Sequence, residues 1–234
     1  MIVRLEKRFS NGLQFNLNYT WAKSLDTGGG SLSNASGNGV PQYSGDIAAE
    51  KGRSQFDIRH RFVTNAIYDL PFGRGQHFGA TVEGVGGALI SGWQVGTIIV
   101  AQSGQSMTPL VPIDQSNTGG NNDRPNQVGD PNTGPRTPDK WFNTEAYELQ
   151  PFGTFGNASR GGIDGPGYFT VDLSIIKNTR LTERLSLQFR AEAFNLFNRP
   201  NFDLPSRVFN TPGFGQIFTA QEPRDLQFAL KFVF

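Results

Sequence analysis

Charged side chains recur at alternate positions along this sequence, and they are the first candidates for chemistry. Asp57, Arg59 and Arg61 lie two apart in FDIRHRF, and Arg190 and Glu192 repeat the spacing in LQFRAEAF. Asp172 and Lys231 hold the same phase in FTVDLSIIK and LQFALKFVF. A period of two puts such residues on one side of a β-strand, where they can contact a polar cargo or pair with opposite charges across strands. A charged wall facing water or another protein body is the simpler expectation for all seven. No carboxylate pair is placed for glycoside hydrolysis, and no G-x-S-x-G marks a nucleophile. His60 and His77 stand alone in a chain without cysteine, whereas a metal centre needs several converging ligands. DQSNTGGNND (114–123) is rich in oxygen ligands but lacks the acidic spacing and late Glu of a calcium loop. FGRGQHFG lacks the Lys-Ser/Thr of a phosphate loop and reads as a turn. The expectation is no enzyme, no metal and no cofactor. Trp141, Phe142 and Tyr147 are candidates for stacking on a cargo. The simpler expectation is that they fold their own loop onto the body beneath.

The elements that must position these residues are strands. In LQFNLNYTW, Leu13, Phe15, Leu17, Tyr19 and Trp21 alternate with Gln14, Asn16, Asn18 and Thr20. Ser10-Asn11-Gly12 ahead of it supplies the turn of a hairpin with the alternating segment Val3–Phe9. FDIRHRFVTNAIYDL, GWQVGTIIVAQSG, FTVDLSIIK, LSLQFRAEAFNLF and LQFALKFVF follow the same rule, giving about seven strands. The phase slips at Phe194 and Leu196, which land on the polar side. ATVEGVGGALI is the one short helical candidate, weakened by its glycines. Connections alternate between short and long, with one of about twenty residues as the exception on the short side, so one end of an up-and-down sheet has mostly tight turns and the other the long Gly/Asn/Pro-rich loops.

Composition narrows the class. The 234 residues carry a net charge of +1, which gives no electrostatic case for nucleic acid. Mean hydropathy is −0.39 and no apolar run approaches the ~18 residues of a membrane helix. A transmembrane barrel is not excluded, because alternating strands keep the average low. MIVRLEKRF has neither the apolar stretch nor the cleavage site of a signal peptide. Alternation alone does not say whether the apolar side faces a core or lipid. A soluble β-sandwich binding module, for instance one for carbohydrate, buries it. A membrane barrel turns it outward and lines its lumen with the polar side. Charges of both signs on the polar side, long strands, sorted loops and aromatics at strand ends (Tyr19, Trp21, Tyr68, Phe234) favour the barrel.

Seven blocks in order carry a resemblance: FNLNYTWAKSLD, DIRHRFVTNAIYDLPFGRG, GWQVGTIIVAQSGQSMT, DRPNQVGDPN, the stretch 141–178, LSLQFRAEAFNLFNRPNF and PRDLQFALKFVF. Together they resemble the C-terminal part of Oar-like TonB-dependent outer-membrane receptors, over nearly the whole chain. The resemblance implies an all-β fold: residues 1–234 as an incomplete wall of a 22-stranded barrel in the outer membrane of a Gram-negative bacterium. It implies a plug and TonB as partners, beside the lipid and the rest of the barrel. It implies uptake of a large or scarce nutrient such as a metal chelate, oligosaccharide or peptide. Phe228, Leu230, Phe232 and Phe234 resemble the terminal signal read by the β-barrel assembly machinery. With no plug or signal peptide in the sequence, the expectation is a C-terminal fragment of a longer protein that does not work alone.

Overall fold

Residues 1–28 and 41–234 are described in a computed structural model. The alternating segments form seven long strands: β1 Ile2–Ser10, β2 Leu13–Trp21, β3 His60–Asp69, β4 Trp93–Gln102, β5 Tyr168–Arg180, β6 Ser186–Phe194 and β7 Asp225–Val233. Each pairs antiparallel with its neighbours in sequence, so one sheet runs in the order β1 to β7. Asn11 and Gly12, at φ 50 and 75, make the two-residue turn between β1 and β2. Both angles are positive, the geometry that matches the twist of a hairpin.

The connections sort by end. Residues 11–12, 70–92 and 181–185 close one end of the sheet, and the second of these holds a short helix, α1 Gly84–Ile90. Residues 22–28 and 41–59, 103–167 and 195–224 lie at the other. In FGRGQHFG, Phe72 bridges Phe78 and their rings lie 5.7 Å apart, so the segment is a turn.

Register shows a pronounced stagger. One row of directly paired residues runs Lys7, Phe15, Ala66, Thr97, Leu173, Ala193, Leu226. It starts near the turn end of β1 and finishes near the loop end of β7. The strands are therefore inclined to the sheet's long edge, the stagger that closure of a barrel requires. The sheet itself is open: β1 pairs only with β2, and β7 only with β6. The architecture among the described residues is thus an open seven-stranded meander, not a closed wall of twenty-two strands.

Two details differ from the alternation. β3 begins at His60, so Phe56–Arg59 are not part of the strand. Asp57 is drawn into the loop base by Ser24 and Arg53 instead. At the end of β6 the phase slip is real. Asn195 adopts φ 47 as an extra residue, and the Leu196 N–H reaches the Val171 carbonyl at 2.8 Å.

The hydrophobic core sits in the loops, not against the sheet. Met107, Phe142, Ala146, Tyr147, Ala158 and Ile163 are buried together, with Trp141, Leu204, Phe209 and Phe214 packed around them. Phe142 and Phe214 meet edge to face at 5.0 Å. Connections 103–167 and 195–224 therefore form one compact layer over the loop end. No second sheet covers the apolar side of the meander among the described residues. The sandwich alternative fails on this point, because a sandwich needs such a partner sheet.

Candidate functional site

Directly paired residues of an antiparallel sheet share a side, so register fixes both faces. Leu17, Tyr19, Phe62, Ile99, Val171, Ile175, Phe189 and Leu230 lie on one face, continuous across β2 to β7. Several polar groups on this face are satisfied internally. The Thr64 hydroxyl donates to the Asn16 carbonyl at 3.1 Å and the Thr97 hydroxyl to the Asp172 carbonyl at 3.0 Å. At the turn end, the Lys177 ammonium donates to the Ala88 carbonyl at 2.6 Å and the Ser91 carbonyl at 2.5 Å, capping α1. At the loop end, the Tyr19 hydroxyl and His60 Nδ1 hydrogen-bond at 2.8 Å. Such a face suits a medium that offers no hydrogen bonds.

The opposite face carries Arg4, Glu6, Asn16, Asn18, Arg61, Asn65, Asp172, Arg190, Glu192 and Lys231. A hollow of about 320 Å³ opens there, lined by Asn65, Gly96, Asp172, Ser174, Glu192 and Phe194 among others. Gly96 forms its floor, since a β-carbon would come within 2.5 Å of the Ser174 hydroxyl. The face is not wholly polar. Val63, Ile67, Ile98 and Val100 make it partly apolar, and Ile67 and Ile98 line the hollow itself.

The expected charged residues divide. Arg61, Asp172, Arg190, Glu192 and Lys231 lie on the polar face. Asp57 and Arg59 precede β3 and belong to the loop base. The cross-strand ion pairs expected of Arg190 and Glu192 do not form among the described residues. Arg190 is opposite Ile176 and Ala229, and Glu192 is opposite Ser174 and Gln227. Asp172 accepts the Asn195 N–H at 2.9 Å and so holds the bulge. Phe228, Leu230 and Phe232 line the apolar side of the edge strand, and Phe234 is 97% exposed at its end.

The loop aromatics follow the simpler expectation. Phe142 and Tyr147 are buried, so neither offers a ring face to a cargo. Trp141 is half-buried, donates its indole N–H to the Asp164 carbonyl at 2.9 Å and stacks under Arg136. DQSNTGGNND is a closed turn. Asp114 accepts N–H groups of Gly119 and Thr118, and these hold its carboxyl below the usual range. His60 and His77 lie at opposite ends of the sheet, and no group of potential metal ligands occurs among the described residues.

Alternation gave no sign of an ion-pair network at the loop base. Arg53 bonds Asp57 at 2.7 Å and Asp164 at 2.5 Å, Arg124 bonds Glu50 at 2.9 Å, and Arg160 bonds Asp26. These pairs tie connection 22–59 to connection 103–167. Burial pushes the Asp57 carboxyl up, but the Ser24 N–H and the Arg53 guanidinium outweigh it and leave the group below its ordinary range. The sequence signal was faint, since Arg53 and Arg160 sit in irregular Gly-rich segments where no period applies.

Residues 1–227 match the family described as outer membrane beta barrel domain. The chain belongs to the outer membrane beta barrel domain family. No curated protein and no solved structure matches it significantly. Membership places this barrel-family chain in the outer membrane of Gram-negative bacteria. It accounts for the long alternating strands, the uncovered apolar face and the sorted connections of the barrel-family sheet together.

Proposed function

We propose that this chain is part of the wall and outer loop layer of a TonB-dependent, Oar-like transporter of about twenty-two strands. The transporter takes up a large or scarce nutrient: a metal chelate, an oligosaccharide or a peptide. No catalytic step, metal or cofactor belongs to the proposal. The staggered meander, with its three long connections at one end, carries the reading. Outer-membrane barrels have long outer loops and short periplasmic turns. The apolar face meets lipid, and the polar face lines the lumen. The patch of Val63, Ile67, Ile98 and Val100 supports a plug domain packing there, since bare water disfavours it. Further strands pair with the β1 and β7 edges, because open edges are not tolerated in lipid. Phe228, Leu230, Phe232 and Phe234 are read by the β-barrel assembly machinery.

Two experiments test the proposal. The chain has no cysteine, so introduced ones are unique. In intact cells an impermeant maleimide should label Glu148→Cys, in connection 103–167, and spare Gln76→Cys, in connection 70–92 at the opposite end. The reverse pattern would refute the orientation. For transport, a strain lacking the gene should fail to grow on one class of chelate, oligosaccharide or peptide, and a protonophore should abolish wild-type uptake of it. Growth on every candidate would remove the uptake role.

A further inference from the structure

A cleft of about 560 Å³ opens at the loop end, above the ends of β2, β3 and β4. Five cations line it, Lys23, Lys51, Arg53, Arg59 and Arg160, with one carboxylate, Asp164. Arg53 and Arg160 are fixed by Asp57, Asp164 and Asp26, which makes a rigid floor. Lys23, Lys51 and Arg59 form no ion pair among the described residues. Even with Asp57 close enough to act on Arg59, both lysines stay uncompensated. Three exposed cations facing one cleft repel one another, and a bound anion relieves that repulsion.

The cleft does not end in water alone. His60 and Ser103 also line a second groove of about 320 Å³, on the apolar face, with Tyr19, Phe62 and Phe169. Arg199 covers the far side of that groove, its guanidinium 5.4 Å from the Phe169 ring. A cationic pocket therefore adjoins an apolar one along His60 and Ser103 at the rim of the sheet. At the turn end the corresponding cation, Lys177, is instead engaged by the Ala88 and Ser91 carbonyls.

The geometry points to a binding site for a phosphorylated, acylated lipid of the outer leaflet. Its phosphate lies among Lys23, Lys51 and Arg59, and its acyl chains lie on Tyr19, Phe62 and Phe169. A soluble anion would need only the first part of this surface. The adjacency of the two grooves favours an amphiphile. The inference rests on the orientation proposed above, with the loop end outermost.

The test uses the protein extracted from outer membranes in mild detergent. Native mass spectrometry should find phosphorylated glycolipid bound to the wild type. Lys23→Gln/Lys51→Gln/Arg59→Gln should retain at least about tenfold less. Lys23→Arg/Lys51→Arg should retain it, and Arg74→Gln, at the turn end, should leave it unchanged. Delipidated wild type is then titrated with the glycolipid, its dephosphorylated form and inorganic phosphate. Preference for the intact glycolipid over both supports the inference and needs no variant to fold. Equal binding of the dephosphorylated form overturns it. Binding of inorganic phosphate as tight as that of the glycolipid assigns the cleft to a soluble anion and also overturns it. If the maleimide pattern holds and the lipid preference fails, this inference alone is lost. If the pattern is reversed, the orientation is lost as well.

Discussion

Asp57 precedes Arg59 by two residues, yet its side chain is fully buried and serves the loop, not the wall. Its folded value lies below the ordinary carboxylate range. The stability it contributes is therefore complete above about pH 4, the unfolded value, and is lost as pH falls through the lower folded value. The protection of the Ser24 amide against hydrogen exchange, relative to the intrinsic rate at each pH, should fall across that acid window and stay flat above it. Asp57→Asn should remove this acid sensitivity and weaken the loop base by about 1.5–3 kcal/mol, read from the same amide at neutral pH. Phe142 is a second residue whose role is structural. Phe142→Ala should cost the loop layer about 3–5 kcal/mol. Limited proteolysis should then cut within 103–167 while the sheet resists. A cargo-contact role would instead leave protease resistance unchanged and reduce uptake.

At the scale of elements, adjacent residues of one strand have opposite fates. Leu17 is on the apolar face of β2 and Asn16 on the polar face. Leu17→Arg should cost about 2–4 kcal/mol if it lies near the bilayer midplane, and Asn16→Arg much less. Heat-modifiable folded protein recovered from membranes measures both. Equal losses would mean that the apolar face does not meet lipid. The turns have their own constraint. Gly92 has φ 74, and a β-carbon there would lie 2.2 Å from the Asn178 carbonyl. Gly92→Ala should therefore impair folding of the β4–β5 pair, although the residue touches no proposed ligand.

For the whole molecule, the open edges matter most. Neither β1 nor β7 can face lipid with a row of unpaired backbone groups. Expressed by itself with an export signal, the chain should aggregate or be degraded. Phe232→Ser/Phe234→Ser in the membrane-resident protein should lower its level by impairing assembly, without altering the sheet already formed. Unchanged levels on outer-membrane immunoblots would remove the assembly role of this strand.

The sequence by itself determined the strands, their order and the two faces. Period two is a local property: once Leu13, Phe15 and Leu17 alternate with polar residues, pairing must set like faces together. It also determined the sorting of connections, because hairpin turns such as Asn11-Gly12 are spelled in adjacent residues. Tertiary structure alone decided the rest. Strand β3 starts at His60 because Asp57 is captured by the Ser24 amide and by Arg53, which Asp164 of another connection holds in place. The buried role of Phe142 depends on Phe214 arriving from another connection. The cationic cleft is assembled by Lys23, Lys51 and Arg59 at the strand rim and by Arg160 from a connection far along the chain. Contacts between irregular segments carry no period, so nothing in the spacing of residues announces them before the chain folds.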